Sequence, residues 1–192
     1  MSFDYLRTIA DGMDRGAVLH DLMKEYGGDV WRYAYFLTRR ADVSDDIVQD
    51  VFIKVYEKLY TYRSEAAVKT WLLTITRHAV IDYWRTAWIR KVLPTGRPPE
   101  RDVHPSAETE AMNRFDMDEL WSIVLALPKK LREPLLLFAH HQLSLEEIAD
   151  MLQVTRNTVK SRLFRARAKV ADKLAKREQR HDAGGVNDDE TG

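Results

Sequence analysis

From Ser144 to Val170 the chain reads SLEEIADMLQVTRNTVKSRLFRARAKV, and its apolar residues recur with the period of a helix, stop, and start again. Leu145, Ile148, Ala149 and Leu152 lie at i, i+3, i+4 and i+7, with Ser144 and Glu147 at the spacing of a capping box. Gln153 and Val154 break the pattern. Thr155 is then placed to cap a second helix whose buried stripe is Val159, Leu163, Ala166 and Val170. Two amphipathic helices joined by so short a turn predict a helix-turn-helix. No stretch shows sustained strand alternation, so the expected class is all-α, as two small helical domains joined by a flexible linker.

The linker is placed by composition. Residues 92–110, VLPTGRPPERDVHPSAETE, hold four of the six prolines and almost no apolar periodicity. Before them, helices are expected near 17–39, 44–62 and 66–90, with Ser44 and Ser64 as caps. After them, helices are expected near 115–127, 129–141, 145–152 and 156–178, with Pro134 starting the second of these late or kinking it. The domain bounds are accordingly 15–91 and 113–178, separated by a linker at 92–112. A polar, glycine-containing tail over 179–192 is expected to be disordered.

Composition excludes several classes. With no cysteine among 192 residues, disulfides and thiolate metal sites are impossible, and a reducing cytoplasm is the natural compartment. The N-terminal segment MSFDYLRTIADGMDRG lacks the apolar run of a signal peptide, and nowhere do 18 uncharged apolar residues occur together. A hydrophobic content of 45% belongs to a globular chain.

Thirty basic and thirty acidic side chains cancel overall, but they are segregated. Residues 61–91 carry six cations against two acids, and residues 154–180 carry ten against two. On a wheel of 100° per residue, Asn157, Ser161, Phe164, Arg165 and Ala168 fall opposite the buried stripe, with Lys160 and Arg167 flanking. A solvated helix gains nothing from an outward phenylalanine, whereas a helix in the major groove can set it against a thymine methyl while Arg165 or Lys160 reaches guanine. Ten cations suffice to contact several phosphates. Charge alone would suit a solvated face equally well; the capping box, the turn and the outward Phe164 together favour duplex DNA.

In DVSDDIVQDVFIKVYEKLYTY, the residues Ile47, Val48, Val51, Phe52, Val55 and Leu59 make a buried face. Asp46, Gln49, Asp50, Ile53 and Glu57 make the opposite one. An acidic face with an apolar residue at its centre suits a basic protein partner, though a solubility surface is the commoner use of such a face. In YRSEAAVKTWLLTITRHAVIDYWRTAWIRK the helix buries Val68, Leu72, Ile75, Ala79 and Tyr83 and turns Arg77, His78, Trp84, Arg85 and Trp88 the other way. Cations beside aromatic rings suit single-stranded DNA, where bases stack and phosphates are neutralised. The alternative for Trp71, Tyr83 and Trp84 individually is a place in the core.

LEEIADMLQVTRNTVKSRLFRARAKV, preceded by ALPKKLREPLLL, resembles the C-terminal promoter-binding domain of extracytoplasmic-function (ECF) sigma factors of the sigma-70 family. Response regulators of the LuxR type share its EIA and TVK pattern, so the N-terminal half decides. There DDIVQDVF resembles the segment that binds the clamp helices of the polymerase β′ subunit, and YRSEAAVKTWLLTITRHAVIDYWR resembles the segment that opens and reads the minus-10 element. The resemblance spans roughly residues 15–175.

It implies an RNA polymerase initiation factor, with core binding through Asp46, Gln49, Asp50 and Ile53. It implies minus-35 readout by Arg156, Asn157, Lys160, Ser161, Phe164 and Arg165. Minus-10 contacts would come from Tyr62, Arg63, Ser64, Lys69, Trp71, Arg77, His78 and Arg85, the loop from Tyr62 to Val68 capturing a flipped base. Many relatives carry Asn where this chain has His78, which bears on minus-10 preference. The partners implied are core polymerase (β′ clamp helices and β flap), promoter DNA and an anti-sigma factor, often a membrane protein, that would hold a cytoplasmic chain at the inner face of the membrane.

No catalytic, metal or cofactor site is expected. His78 and Asp82 stand one helical turn apart but are too few for a metal, and the adjacent His140 and His141 would point about 100° apart on a helix. No glycine-rich phosphate loop or nucleophile elbow occurs. The rival reading is a conventional helix-turn-helix regulator whose N-terminal half dimerises or senses.

Overall fold

The computed structural model describes residues 14–59, 62, 67–92 and 119–184, which form helices and connecting turns with no strand among them. The chain divides into two compact units. The first contains α1 (Arg15–Thr38), α2 (Ala41–Lys58) and α3 (Val68–Val92). The second contains α4 (Glu119–Leu125), α5 (Lys129–Ala139), α6 (Leu145–Leu152) and α7 (Arg156–Gly184).

In the first unit the three helices pack pairwise on one another. Leu22 and Val30 of α1, Val51 and Val55 of α2, and Leu73 and Val80 of α3 are wholly buried between them. Full burial of each such side chain contributes about 1.5–3 kcal/mol. The face of α3 that is buried is broader than the stripe read from periodicity. It includes Thr70, Leu73, Thr76 and Val80 as well as Val68, Leu72, Ile75 and Ala79, because α3 contacts both other helices. Thr74 and Thr76 return their hydroxyls to the carbonyls of Thr70 and Leu72, at 2.8 Å each, so the buried Thr76 hydroxyl is satisfied within its own helix.

The corner between α1 and α2 corrects one expectation. Ser44 does not cap a helix; it lies one turn inside α2, fully buried. Its hydroxyl donates to the Arg40 carbonyl at 2.7 Å and lies 3.2 Å from the Thr38 hydroxyl, which itself donates to Ala34 at 2.9 Å. Two buried hydroxyls thus pin a turn that Arg39 enters in the left-handed conformation (φ 60°). α2 begins instead at Ala41, where Arg40 forms an ion pair with Asp42. That hydrogen-bonded guanidinium holds the Asp42 carboxyl below the usual carboxylate range. The Ser64 cap lies outside the described residues.

In the second unit α5 runs through Pro134 from Lys129 to Ala139, so the proline neither delays the helix nor ends it. Its ring is buried, and only the one backbone bond to the carbonyl four residues back is forgone. The neighbouring Arg132 is buried and donates to the Leu125 carbonyl at 2.8 Å, capping the end of α4 from another helix. α7 continues to Gly184, past the boundary expected at 178, because Ala175, Lys176, Arg177 and Gln179 are all good helix formers. Apart from Val92, the expected linker lies outside the described residues, as do residues 185–192 of the expected tail.

Candidate nucleic-acid and protein-docking surfaces

The helix-turn-helix is built from local hydrogen bonds. Ser144 and Glu147 make the full capping box at the start of α6: the Ser144 hydroxyl accepts from the Glu147 amide at 3.2 Å, and the Glu147 carboxylate accepts from the Ser144 amide at 2.9 Å. Gln153 closes α6 in the left-handed conformation (φ 54°), where glycine is commoner, and its side-chain amide donates to the Asp150 carbonyl at 2.7 Å. Thr155 caps α7, accepting from the Thr158 amide at 3.2 Å.

α7 packs against α4, α5 and α6 with Val159, Leu163 and Ala166 buried and Val170 half-buried. The opposite face carries Arg156, Asn157, Lys160, Ser161, Phe164 and Arg165, all exposed, and Phe164 shows 75% of its surface. All six expected minus-35 readers therefore share one surface. Arg167, expected to flank it, lies with its guanidinium 5.2 Å from the centre of the Phe138 ring. Arg156 also has a partner that sequence reasoning missed: its Nε lies 2.6 Å from Oε1 of Glu146 on α6.

On α2 the expected docking residues Asp46, Gln49, Asp50 and Ile53 are exposed, Ile53 to 59%, while Ile47, Val51, Phe52 and Val55 are buried. Tyr56, 45% exposed, extends this surface by one helical turn and was not singled out from the sequence. A groove of about 550 Å³ runs beside it, lined by Asp46, Gln49 and Asp50 of α2 and by Asp82, Tyr83 and Thr86 of α3. The helix wheel of α2 alone gives no sign of the α3 wall.

The expected minus-10 residues are spread out. Lys69 and Arg85 are sixteen residues apart on α3, about 24 Å at the rise of an α-helix. Lys69 pairs with Asp29 at 3.0 Å, and Asp29 also holds Arg32 at 2.9 Å. Arg85 pairs with Asp82 at 3.0 Å. His78 is exposed, and Arg77 is half-buried. Tyr62 and Trp71 set their rings 5.0 Å apart, Trp71 half-buried. Arg63 and Ser64 lie outside the described residues. Tyr83, expected in the core, is half-buried, while Ile81, Trp84 and Trp88 form an exposed stripe at i, i+3 and i+7.

Two further features lie in the second unit. Leu120, Trp121, Val124, Leu135, Leu136, Val170 and Leu174 line an apolar cleft of about 300 Å³ among α4, α5 and α7. The His140 and His141 rings meet edge-on at 4.9 Å, His140 at the end of α5 and His141 buried beyond it.

Residues 22–89 match the family Sigma-70 region 2, and residues 117–170 match Sigma-70, region 4. The chain is 30% identical over 158 residues to the ECF RNA polymerase sigma factor SigC of Mycobacterium tuberculosis, covering 82% of this chain and 84% of that protein. The chain belongs to the ECF sigma factors of the sigma-70 family. It is also 29% identical over 159 residues to the RNA polymerase sigma factor SigZ of Bacillus subtilis, covering 81% of this chain and 86% of SigZ.

Among solved structures, the sigma factor is similar in fold to RpoE of Bartonella quintana in complex with the anti-sigma factor NepR. The TM-score is 0.62 at 23% identity, over 81% of this chain and 97% of that one. CnrH in complex with the cytosolic domain of CnrY gives a TM-score of 0.60 at 21% identity, over 88% and 94% of the two chains.

Proposed function

We propose that this sigma factor binds core RNA polymerase through the α2 face of Asp46, Gln49, Asp50 and Ile53 and directs it to promoters whose minus-35 duplex is read by α7. The observation that carries the reading is Phe164, three-quarters exposed among Asn157, Lys160, Ser161 and Arg165 on a helix whose other face is buried. Such a face suits base edges and a thymine methyl, each good bidentate contact contributing about 1–3 kcal/mol of discrimination. The region 15–91 takes the polymerase clamp and the opened minus-10 strand. That strand lies along α3 from Lys69 to Arg85, with Tyr62 and Trp71 at one end and His78 at its middle. The region 113–178 takes the minus-35 element, and 92–112 spans the two.

The apolar cleft among α4, α5 and α7 suits an apolar segment of the β flap. The factor adds positioning and strand opening, and the polymerase supplies the chemistry. RpoE and CnrH are each described in complex with a protein partner, and we extend this to an anti-sigma factor that covers the same surfaces. No helix among the described residues is long and apolar enough to cross a membrane, so a tether at the inner face of the membrane would come from that inhibitor.

Reconstituted run-off transcription with bacterial core polymerase tests the reading. A specific transcript that needs both components is the expected result. Tight duplex binding without polymerase, and no transcript, would instead indicate a conventional helix-turn-helix regulator.

A further inference from the structure

Among the described residues, Arg156 is the one expected minus-35 cation with an ion pair; Lys160 and Arg165 have none. Its partner, Glu146, comes from the other helix of the motif. The contact at 2.6 Å runs between Oε1 and Nε, while the two side chains remain 55% (Arg156) and 61% (Glu146) exposed. A pair so open to water adds little to stability. Nor does α6 need Glu146 as a cap, because Glu147 already closes the capping box with Ser144.

The atoms engaged suggest what the pair does. A guanidinium has one N–H on Nε and four on its two Nη nitrogens. The closest approach of the carboxylate is to Nε, and no hydrogen bond among the described residues engages either Nη nitrogen, so the terminal fork, the edge that fits O6 and N7 of guanine, stays available. Arg156 is the first residue of α7, at the end of a recognition helix that usually meets base edges. A long cation there without an anchor would reach phosphates on any sequence. An anion beside it opposes that use, because a carboxylate facing DNA is repelled by the backbone whatever the bases are.

Resting on the minus-35 reading of α7, we infer that Glu146 is a positioning residue for base readout. It restrains Arg156 through an ion pair, leaves the Nη fork for the major groove, and trades affinity for sequence discrimination. The chemistry recognised is a guanine edge presented beside the N-terminus of α7.

The test uses full-length factor in holoenzyme with bacterial core polymerase, transcribing a template library randomised across the minus-35 and minus-10 positions, with transcripts counted by sequencing. In wild type, one minus-35 position should prefer guanine, and Arg156→Ala should flatten that preference by about fivefold or more. Glu146→Ala should flatten preference at the same position, leave the other positions unchanged, and raise holoenzyme binding to unrelated duplex severalfold. Glu146→Gln keeps the length of the side chain without the charge that makes the pair, and should flatten the preference as Glu146→Ala does. In an Arg156→Ala background, Glu146→Ala should add nothing at that position.

The inference fails if Glu146→Ala leaves the base preference intact, or lowers transcription from all templates equally. It also fails if Glu146→Ala acts as strongly without Arg156. If Arg156→Ala changes no base preference while wild type transcribes specifically, the assignment of Arg156 falls and this inference with it, but the initiation-factor reading stands. If wild type gives no specific transcript from any template, the functional reading itself falls.

Discussion

α3 and α7 are both long helices within basic stretches of the chain, yet they hold their cations differently. On α7 the buried stripe of Val159, Leu163 and Ala166 is narrow, and Asn157, Lys160, Ser161, Phe164 and Arg165 project from the opposite side. On α3 a broad face is buried against two helices, and two of the cations are already neutralised, Lys69 by Asp29 and Arg85 by Asp82. α3 also exposes apolar side chains, Ile81, Trp84 and Trp88. Positive charge along a sequence therefore does not measure positive charge offered to DNA. A cation is fully offered to DNA only where no acid lies beside it, on its own helix or the next: among the described residues Lys69 and Arg85 have one, Lys160 and Arg165 do not.

The largest test of this contrast lies on the third surface, the acidic face of α2. Asp50→Arg should weaken core-polymerase binding by about 2–5 kcal/mol, the range for losing one partner of a docked charge pair. Because Asp50 is exposed, the thermal unfolding midpoint should not move. Retained core affinity in a titration of purified components would sink the docking assignment.

Next come the readers on α7. Phe164→Ala or Arg165→Ala should each lower minus-35 selectivity by about 1–3 kcal/mol, read from transcription on matched and substituted templates. Stability should change by less than about 0.5 kcal/mol, since neither side chain is buried. A large loss of stability from Phe164→Ala would place that ring in the core and break the contrast.

A smaller effect compares two lysines directly. In holoenzyme binding to promoter DNA, Lys160→Ala should reduce the slope of log K against log salt by about 0.9, the value for one phosphate that the protein no longer neutralises. Lys69→Ala should reduce it by less than half as much, because Lys69 is already paired with Asp29. Equal slopes would show that the Asp29 pair opens on DNA binding.

The smallest effect contrasts helix starts. α7 begins on the hydroxyl of Thr155, which does not titrate in this range, whereas α2 begins on the Arg40–Asp42 pair. The folded-state pKa of Asp42 is lowered, so its contribution is complete above the unfolded carboxylate value of about 4 and is lost as pH falls through the folded value. Thermal melts of wild type and Asp42→Asn should therefore differ by a constant amount near neutrality and converge in acid. A gap that persists in acid would rule out the pair as its source.

Much of the architecture could be read from periodicity. The capping box at Ser144 and Glu147, the cap at Thr155 and the buried residues Val159, Leu163 and Ala166 all stand where the spacing puts them, because each depends on residues within one or two turns. The same local rule failed at Ser44. A serine before an apolar run reads as a cap, but here Thr38 on α1 offers it a buried hydroxyl partner, and α2 starts one turn earlier. The breadth of the buried face on α3 escaped for a related reason, since a wheel shows one preferred direction and α3 has neighbours on two sides.

Residue order alone was enough for an all-α chain, a helix-turn-helix with Phe164 turned outward, an acidic face around Asp50, and the motifs that mark an ECF sigma factor. These follow from residue order along single helices, where 3.6 residues per turn convert spacing into direction. Helix packing is what makes Asp82 wall the groove beside Asp50, pairs Lys69 with Asp29, and brings Glu146 to Arg156. Each of those contacts joins side chains on different helices. Their meeting depends on how the helices pack, which the pattern along any one of them does not encode.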